Sequence, residues 1–432
     1  MKSKQNIFKR LSKVLILIFA ISLLSAGCGG GQAVPKQITL IYWKPFEDSG
    51  NLQPVFDAYT KSHRNVRIEY VKKNIETYEQ DLLEAIAAGN GPDIFSINNA
   101  WLPKYKDRLA PASDKVLNYT AYKDAFVDIA VRDFTLNNQI YGVPLAIDSL
   151  ALYYNKDLLG TSGIATPPKT WAELSSDVQR MKRSDGRGYF TRSGAAIGTN
   201  SNVNRAVDIL YLMMLQQGVV PFNESGNPGF AQSVQRNGNN FNPGFEGLQF
   251  YTSFANPASP NYNWNLRSDY SIDAFANGRA AFLYSYAYTR ATLLQKNPSL
   301  NFDVAMAPQP NLSDPSVNFA NYFGEVVSKQ SKNGAAAWDF LKFISSKDSL
   351  DTYYAHNKQP ASRKDLISLQ IQDPDIGVFA NANLTAKPFF RPDQQKMDNI
   401  FGNMIDDVIL NGVTVDQALS NGEAQARTLV GR

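Results

Sequence analysis

Residues that carry catalytic chemistry are scarce in this chain. It has one cysteine, Cys28, and two histidines, His63 and His356, far apart and each in a polar stretch. A single cysteine excludes an intrachain disulfide and a thiolate metal cage, which need two or more. No G-x-S-x-G elbow, H-E-x-x-H helix, phosphate loop or dinucleotide fingerprint occurs. Gly186-Arg187-Gly188 reads as a turn, and Asp373 and Asp375, either side of a proline, read as a solvated loop. Charged residues are only 19% of the chain and nearly balanced, so the clustered basic face of a nucleic-acid binder is missing. After the first thirty residues no apolar run approaches the ~20 residues of a membrane-spanning helix.

What the chain does have begins at its first residues. Lys2, Lys4, Lys9, Arg10 and Lys13 precede an apolar run over 14–24, then Ser25, Ala26, Gly27 and Cys28. Charge, a short apolar core and small residues, in that order, form an export signal. A cysteine directly after the small residues resembles a lipoprotein cleavage site. The expected product loses residues 1–27, carries lipid on Cys28 and leaves the membrane through a Gly/Pro tether, residues 28–36. Residues 1–27 hold five cations and no acid, so cleavage takes the net charge from +4 to −1.

About 400 residues exceed what one hydrophobic core usually organises, which predicts two domains. ITLIYW (38–43), VRIEYV (66–71) and PDIFSI (92–97) read as strands. Between them, Leu52, Val55, Phe56 and Tyr59, then Tyr78, Leu82 and Ile86, recur at helical spacing. Strand, helix, strand, helix, strand implies a helix-covered parallel sheet, whose ligands bind beyond the strands' carboxyl ends. Further strands are predicted at 150–155, 280–284 and 302–308. Thr170 and Glu173 form a capping box at the start of a helix over 170–183. Residues 221–265 are rich in Asn, Gly and Pro and read as loop, except for a helix at 243–254. Helices are also predicted at 272–278, 335–344 and 395–429, the last interrupted at Asn411-Gly412.

Aromatics are abundant: 21 Tyr, 25 Phe and 5 Trp. Flat apolar faces with amide and carboxylate partners suit sugars, which present apolar ring faces fringed by hydroxyls; each aromatic singly is also ordinary core material.

Four segments then carry a resemblance to a known family. They are ETYEQDLLEAIAAGNGPDIFSIN; YGVPLAIDSLALYYNKDLL followed by PPKTWAELSSDVQRMK; IDAFANGRAAFLYSYAY; and FGEVVSKQSKNGAAAWDFLKFISSKDSLDTYY. In this order, behind a lipoprotein signal, they resemble the extracellular solute-binding proteins of bacterial ABC transporters, the maltose-binding-like group. The resemblance runs from about Ile38 to the C-terminus. It implies an α/β fold of two lobes, each a helix-covered, mostly parallel sheet, joined by hinge strands around a cleft. Lobe 1 is expected over 37–148 plus 306–355 and lobe 2 over 149–305 plus 356–432. Crossings are expected near 148–151, 304–308 and 354–360.

The resemblance implies ligand contacts at Trp43, Asn98, Asn99, Trp101, Asp148, Tyr286, Tyr288, Phe323 and Glu325. Asn98, Asn99 and Trp101 depart from the family's pattern of a Trp with charged groups, and Phe323 and Glu325 from its Gly-rich turn. Asp93 reads as a structural turn former. The expected protein is a monomer without cofactor or metal that performs no catalysis. It captures a mono- or oligosaccharide outside the cytoplasm, delivers it to the transmembrane subunits of an ABC permease, and touches the membrane through lipid on Cys28. A non-sugar solute (a polyamine, glycerol phosphate or iron) and a secreted glycan-cleaving enzyme are the competing readings. Tyr153 and Tyr154 point to opposite faces of a strand and so do not share an iron ion. None of the expected contacts is a Lys or Arg for a phosphate.

Overall fold

The computed structural model describes residues 36–430 apart from Glu224; the export signal and Cys28 lie outside the described residues. The first sheet has five strands: β1 (Ile38–Pro45), β2 (Val66–Lys73), β3 (Ile94–Asn98), β4 (Gly142–Val143) and, from far along the chain, β10 (Phe323–Val327). Their order is β2-β1-β3-β10-β4. The second sheet contains β5 (Ala151–Asn155), β6 (Arg183–Ser184), β7 (Phe190–Ala195), β8 (Ala280–Ser285) and β9 (Phe302–Met306), in the order β9-β5-β8-β7-β6.

Local chemistry explains the covering helices. In helix 171–181 the Thr170 hydroxyl accepts from the Glu173 N–H, and the Glu173 carboxylate accepts from the Thr170 N–H, completing the capping box. Its buried Trp171, Leu174, Val178 and Met181 share one face against the second sheet. Gly324 lets β10 press on helix 128–134, because a Cβ there would fall 2.3 Å from Cζ of Phe134.

Strand direction is more mixed than a wound parallel sheet. In the first sheet β1 runs parallel to β2 and β3, but β10 is antiparallel to β3 and to β4. In the second only β7 and β8 pair in parallel, while β5–β8, β5–β9 and β6–β7 are antiparallel. The cause is connectivity. β10 enters the first sheet from the far lobe, and β5, arriving from the first lobe, lies between β8 and β9 and runs against both.

Two separate cores result. One holds buried residues of 40–147, 320–354 and 361–367, with Ala380 and Ala386; the other holds 150–319 with Phe379 and buried residues of 389–426. The first crossing falls at 147–150. The second falls at 319–320, not at 304–308, because Phe302–Met306 is an edge strand of the second sheet. The third follows Ile367, not 354–360, because Tyr354 and Ser362 bond to the Leu145 carbonyl in the first lobe. The crossing segments lie side by side. Leu150 N–H donates to the Phe319 carbonyl and Asn321 N–H to that of Asp148. Asn383 ties both in, donating to the Ile147 and Ala361 carbonyls and accepting from Ser149.

Candidate functional site: an aromatic cleft between two lobes

Each sheet turns one edge toward the hinge. In the first these are the ends of β1 and β3 and the start of β10, since Phe323 pairs with Asn98. In the second they are the start of β5 and the ends of β8 and β9, since Ala151 pairs with Ser285 and Met306. Side chains just past these ends therefore face one another across the lobes.

On the first lobe three aromatic rings meet edge to face. Phe323 lies 5.3 Å from Phe46 at 81° and 5.9 Å from Trp101 at 74°. Phe46 is 54% exposed and holds φ 50°, the left-handed region that bulky residues avoid. Such strain is a mark of functional sites, of order 1–3 kcal/mol. Trp101 is buried, stacked on Tyr105 at 5.7 Å, with its indole N–H donating to Oε1 of Gln394 at 2.7 Å.

On the second lobe, Arg205 is the centre of a polar and aromatic cluster. Its guanidinium lies over the rings of Tyr286 and Tyr288, at 5.3 and 5.8 Å, and donates through Nε and Nη2 to the Tyr288 hydroxyl at 3.1 and 2.7 Å. Like Phe46, Arg205 is non-glycine at positive φ, 60°, where it precedes helix 206–217. Tyr288 is 47% exposed and stacks on buried Tyr286. The Tyr286 hydroxyl donates to Asp208, which also faces Arg205 at 3.9 Å. Tyr270, exposed, donates to Asn204.

Asp148 stands on the hinge. Its carboxylate accepts from the Ala287 N–H at 3.0 Å. Burial pushes its pKa up to about 7, against the pull of the Ala287 and Tyr288 amides and the Arg205 charge. Asp133 is pushed up to about 6 by burial, although Asn99 and Tyr322 donate to it and Arg391 lies near. For a carboxyl whose folded pKa is raised, stability is fullest at low pH and is lost as pH rises through the folded value. Relative to Asp148→Asn, the natural protein should therefore lose stability between pH 4 and 7, at up to ~1.4 kcal/mol per pH unit. Urea midpoints across that range check this; parallel curves would refute it.

The expected contacts thus separate into groups. Tyr288, Phe323 and Asp148 stand at the cleft, with Trp101 at its margin. Trp43 lies on β1 apart from this group, with Lys73 Nζ 4.1 Å over its ring. Asn98 and Asn99 are buried and saturated, bonding Asn321, Tyr322 and Asp133, so they shape the loop behind the aromatics. Tyr286 is buried beneath Tyr288. Glu325 is fully buried, held by Lys44 Nζ at 2.5 Å and Ser96 Oγ at 2.7 Å. It lies on the same face of β10 as Phe323 but one step further in, where Lys44 and Ser96 enclose its carboxylate. Phe46, Asn204, Arg205 and Tyr270 were missed; Phe46 and Tyr270 lie just outside a predicted strand and helix, while Asn204 and Arg205 precede a helix the sequence did not reveal. A cavity of about 460 Å³ elsewhere, beside Gln53, Asp57, Thr60 and Arg67, lies on the outer edge of β2 and shares no residue with the cleft. Among the described residues no cluster of three metal-ligating side chains exists and no helix is long and apolar enough to cross a membrane.

Fold and site together define a two-lobed α/β protein with an aromatic cleft at its hinge. The chain belongs to the bacterial extracellular solute-binding proteins, whose family profile matches residues 55–375. The galactooligosaccharide-binding protein of Bacillus subtilis is 22% identical over 384 residues, 84% of this chain and 82% of that protein. The sugar-binding protein MalE of Xanthomonas citri shares the fold, with a TM-score of 0.74 at 20% identity over 91% of this chain and 97% of that one. A cyclo/maltodextrin-binding protein solved with maltotetraose superposes with a TM-score of 0.73 at 19% identity, covering 93% of this chain and 99% of its own.

Proposed function

We propose that this protein captures a carbohydrate, a mono- or oligosaccharide, in the cleft and hands it to the membrane subunits of an ABC importer. One observation carries the reading: an exposed ring stands past the strand ends of each lobe, Phe46 on the first and Tyr288 on the second, with Arg205 bonded to Tyr288 and Asp148 at the crossing between the lobes. Rings stack on the apolar faces of a pyranose, and the charged and amide groups accept and donate to its hydroxyls. Contacts to both lobes at once favour the closed form, because a ligand shifts an equilibrium only by its differential affinity for the two states. The sugars named for the relatives above support the same class. Lipid on Cys28, placing the protein outside the cytoplasm, and a monomeric working form complete the proposal.

A thermal-shift screen over neutral mono- and oligosaccharides tests it. A sugar at ~100 times its Kd should stabilise the fold by about 2.7 kcal/mol. A shift with a polyamine or metal and none with any sugar would overturn the reading. Release of shortened products would move the protein to the glycan-cleaving class.

A further inference from the structure

Residues 391–394 belong to the second lobe yet reach the first. Phe389, just before them, stacks on Tyr211 at 4.1 Å, and Phe390 packs against Phe222 at 5.5 Å, so the segment is rooted in the second core. Gln394 then opens helix 394–409 and accepts the indole N–H of Trp101, which belongs to the first core. Arg391 is 1% exposed, wedged between the rings of Tyr211 and Phe319 at 5.5 and 5.7 Å. Its only hydrogen bond is a long one, 3.4 Å from Nη1 to Asp398; Nε and Nη2 have no partner.

A buried guanidinium with free donors is costly unless another charge compensates it. Within its own lobe the only carboxylate that bonds Arg391 is Asp398, so the guanidinium anchors the segment among the Tyr211 and Phe319 rings. One point of this short segment thus reaches the first lobe directly: Gln394, bonded to Trp101, while Arg391 and Asp398 hold the segment within the second.

We propose that residues 391–394 are an interlobe clasp, in which Gln394 is a positioning residue that holds the lobes in register and fixes Trp101 at the margin of the cleft, and Arg391 roots the segment in the second core. Trp101 thereby reports closure to the second lobe instead of stacking on the ligand with its face. The clasp rests on the proposed capture of a solute by hinge closure, but its test does not require the ligand to be known.

The test is hydrogen exchange of the full chain, read in peptides covering 101–108 and 388–397. Trp101→Phe removes the donor and keeps a ring; Gln394→Leu removes the acceptor. Each should speed exchange in the opposite lobe's peptide by about fivefold, the worth of one neutral hydrogen bond. The double variant should add little to either single one, since both break the same bond. Gln394→Glu, which keeps an acceptor oxygen, should restore protection. Exchange that changes only in the lobe carrying the substitution, or effects that add in full, would overturn the clasp. A melting curve identifies a variant that has simply unfolded, and Gln394→Glu then carries the test alone: faster exchange across the lobes in that variant would count against the clasp. A sugar that binds all variants equally would leave carbohydrate capture intact and remove only the coupling.

Discussion

Arg205→Gly should weaken ligand binding 10- to 100-fold while leaving the melting temperature of the free protein unchanged or slightly higher. The two halves of that result have separate causes. Binding falls because the guanidinium that orders Tyr288 and offers charged donors to the cleft is gone; a hydrogen bond to a charged group is worth about 1.5–3 kcal/mol. Stability holds because the backbone at 205 sits at φ 60°, which glycine adopts freely and an L side chain does not. The stack on Tyr286 and Tyr288 and the 3.9 Å approach to Asp208 are lost, and relief of strain offsets them. Isothermal titration with the sugar found by screening, beside a ligand-free melt, separates the two. Unchanged affinity would remove Arg205 from the site; a steep fall in stability would make it a purely structural cap.

Glu325→Ala should do the opposite. It should cost about 3–5 kcal/mol of stability, because the Lys44 ammonium would be left buried without its counter-charge. Burial by itself would lower the Lys44 pKa, and the neighbouring Glu325 and Glu47 carboxylates hold it above the ordinary value instead. With Glu325 gone, only Glu47 at 3.6 Å remains. Replacing both partners by apolar residues, Lys44→Met with Glu325→Leu, should recover most of the loss, since neither desolvation cost remains. Urea denaturation of the three variants checks this. If Glu325→Ala instead abolished sugar binding with stability intact, Glu325 would return to the list of ligand contacts.

The contrast between Arg205 and Glu325 shows what the sequence made legible. Alternating burial made the strands at 38–43 and 66–71 and the capped helix after Thr170 legible, and 280–284 stood out as a short apolar run buried on both faces. Periodicity did not reveal helix 206–217, AVDILYLMMLQQ, which is apolar nearly all round because it is enclosed on most sides and so has no amphipathic stripe. The hinge side of the molecule was legible as a region: Asp148, Tyr288 and Phe323 all fall there. Which way each side chain turns was not. Glu325 lies two residues after Phe323, but the pairing of β10 with β3 and β4 puts its carboxylate against Ser96 and Lys44. The left-handed backbone at Phe46 and Arg205 leaves no composition signal, because glycine is the usual marker and neither position has it. The later crossing points were missed for a related reason: β9 and the segment around Ser362 look like connectors in sequence, and only their partners assign them to a lobe.

The pairing of β3 with β10 also bears on how the chain is made. Ser96 and its partner Glu325 are 229 residues apart, and an entire second lobe lies between them. While synthesis proceeds from the N-terminus, Ile94–Asn98 has an open edge and Lys44 only Glu47 as a counter-charge until Phe323–Val327 emerges. Long-range pairing of this kind folds slowly. The first lobe therefore closes its sheet only in the chain's final quarter, after the whole of the second lobe's sheet has been made.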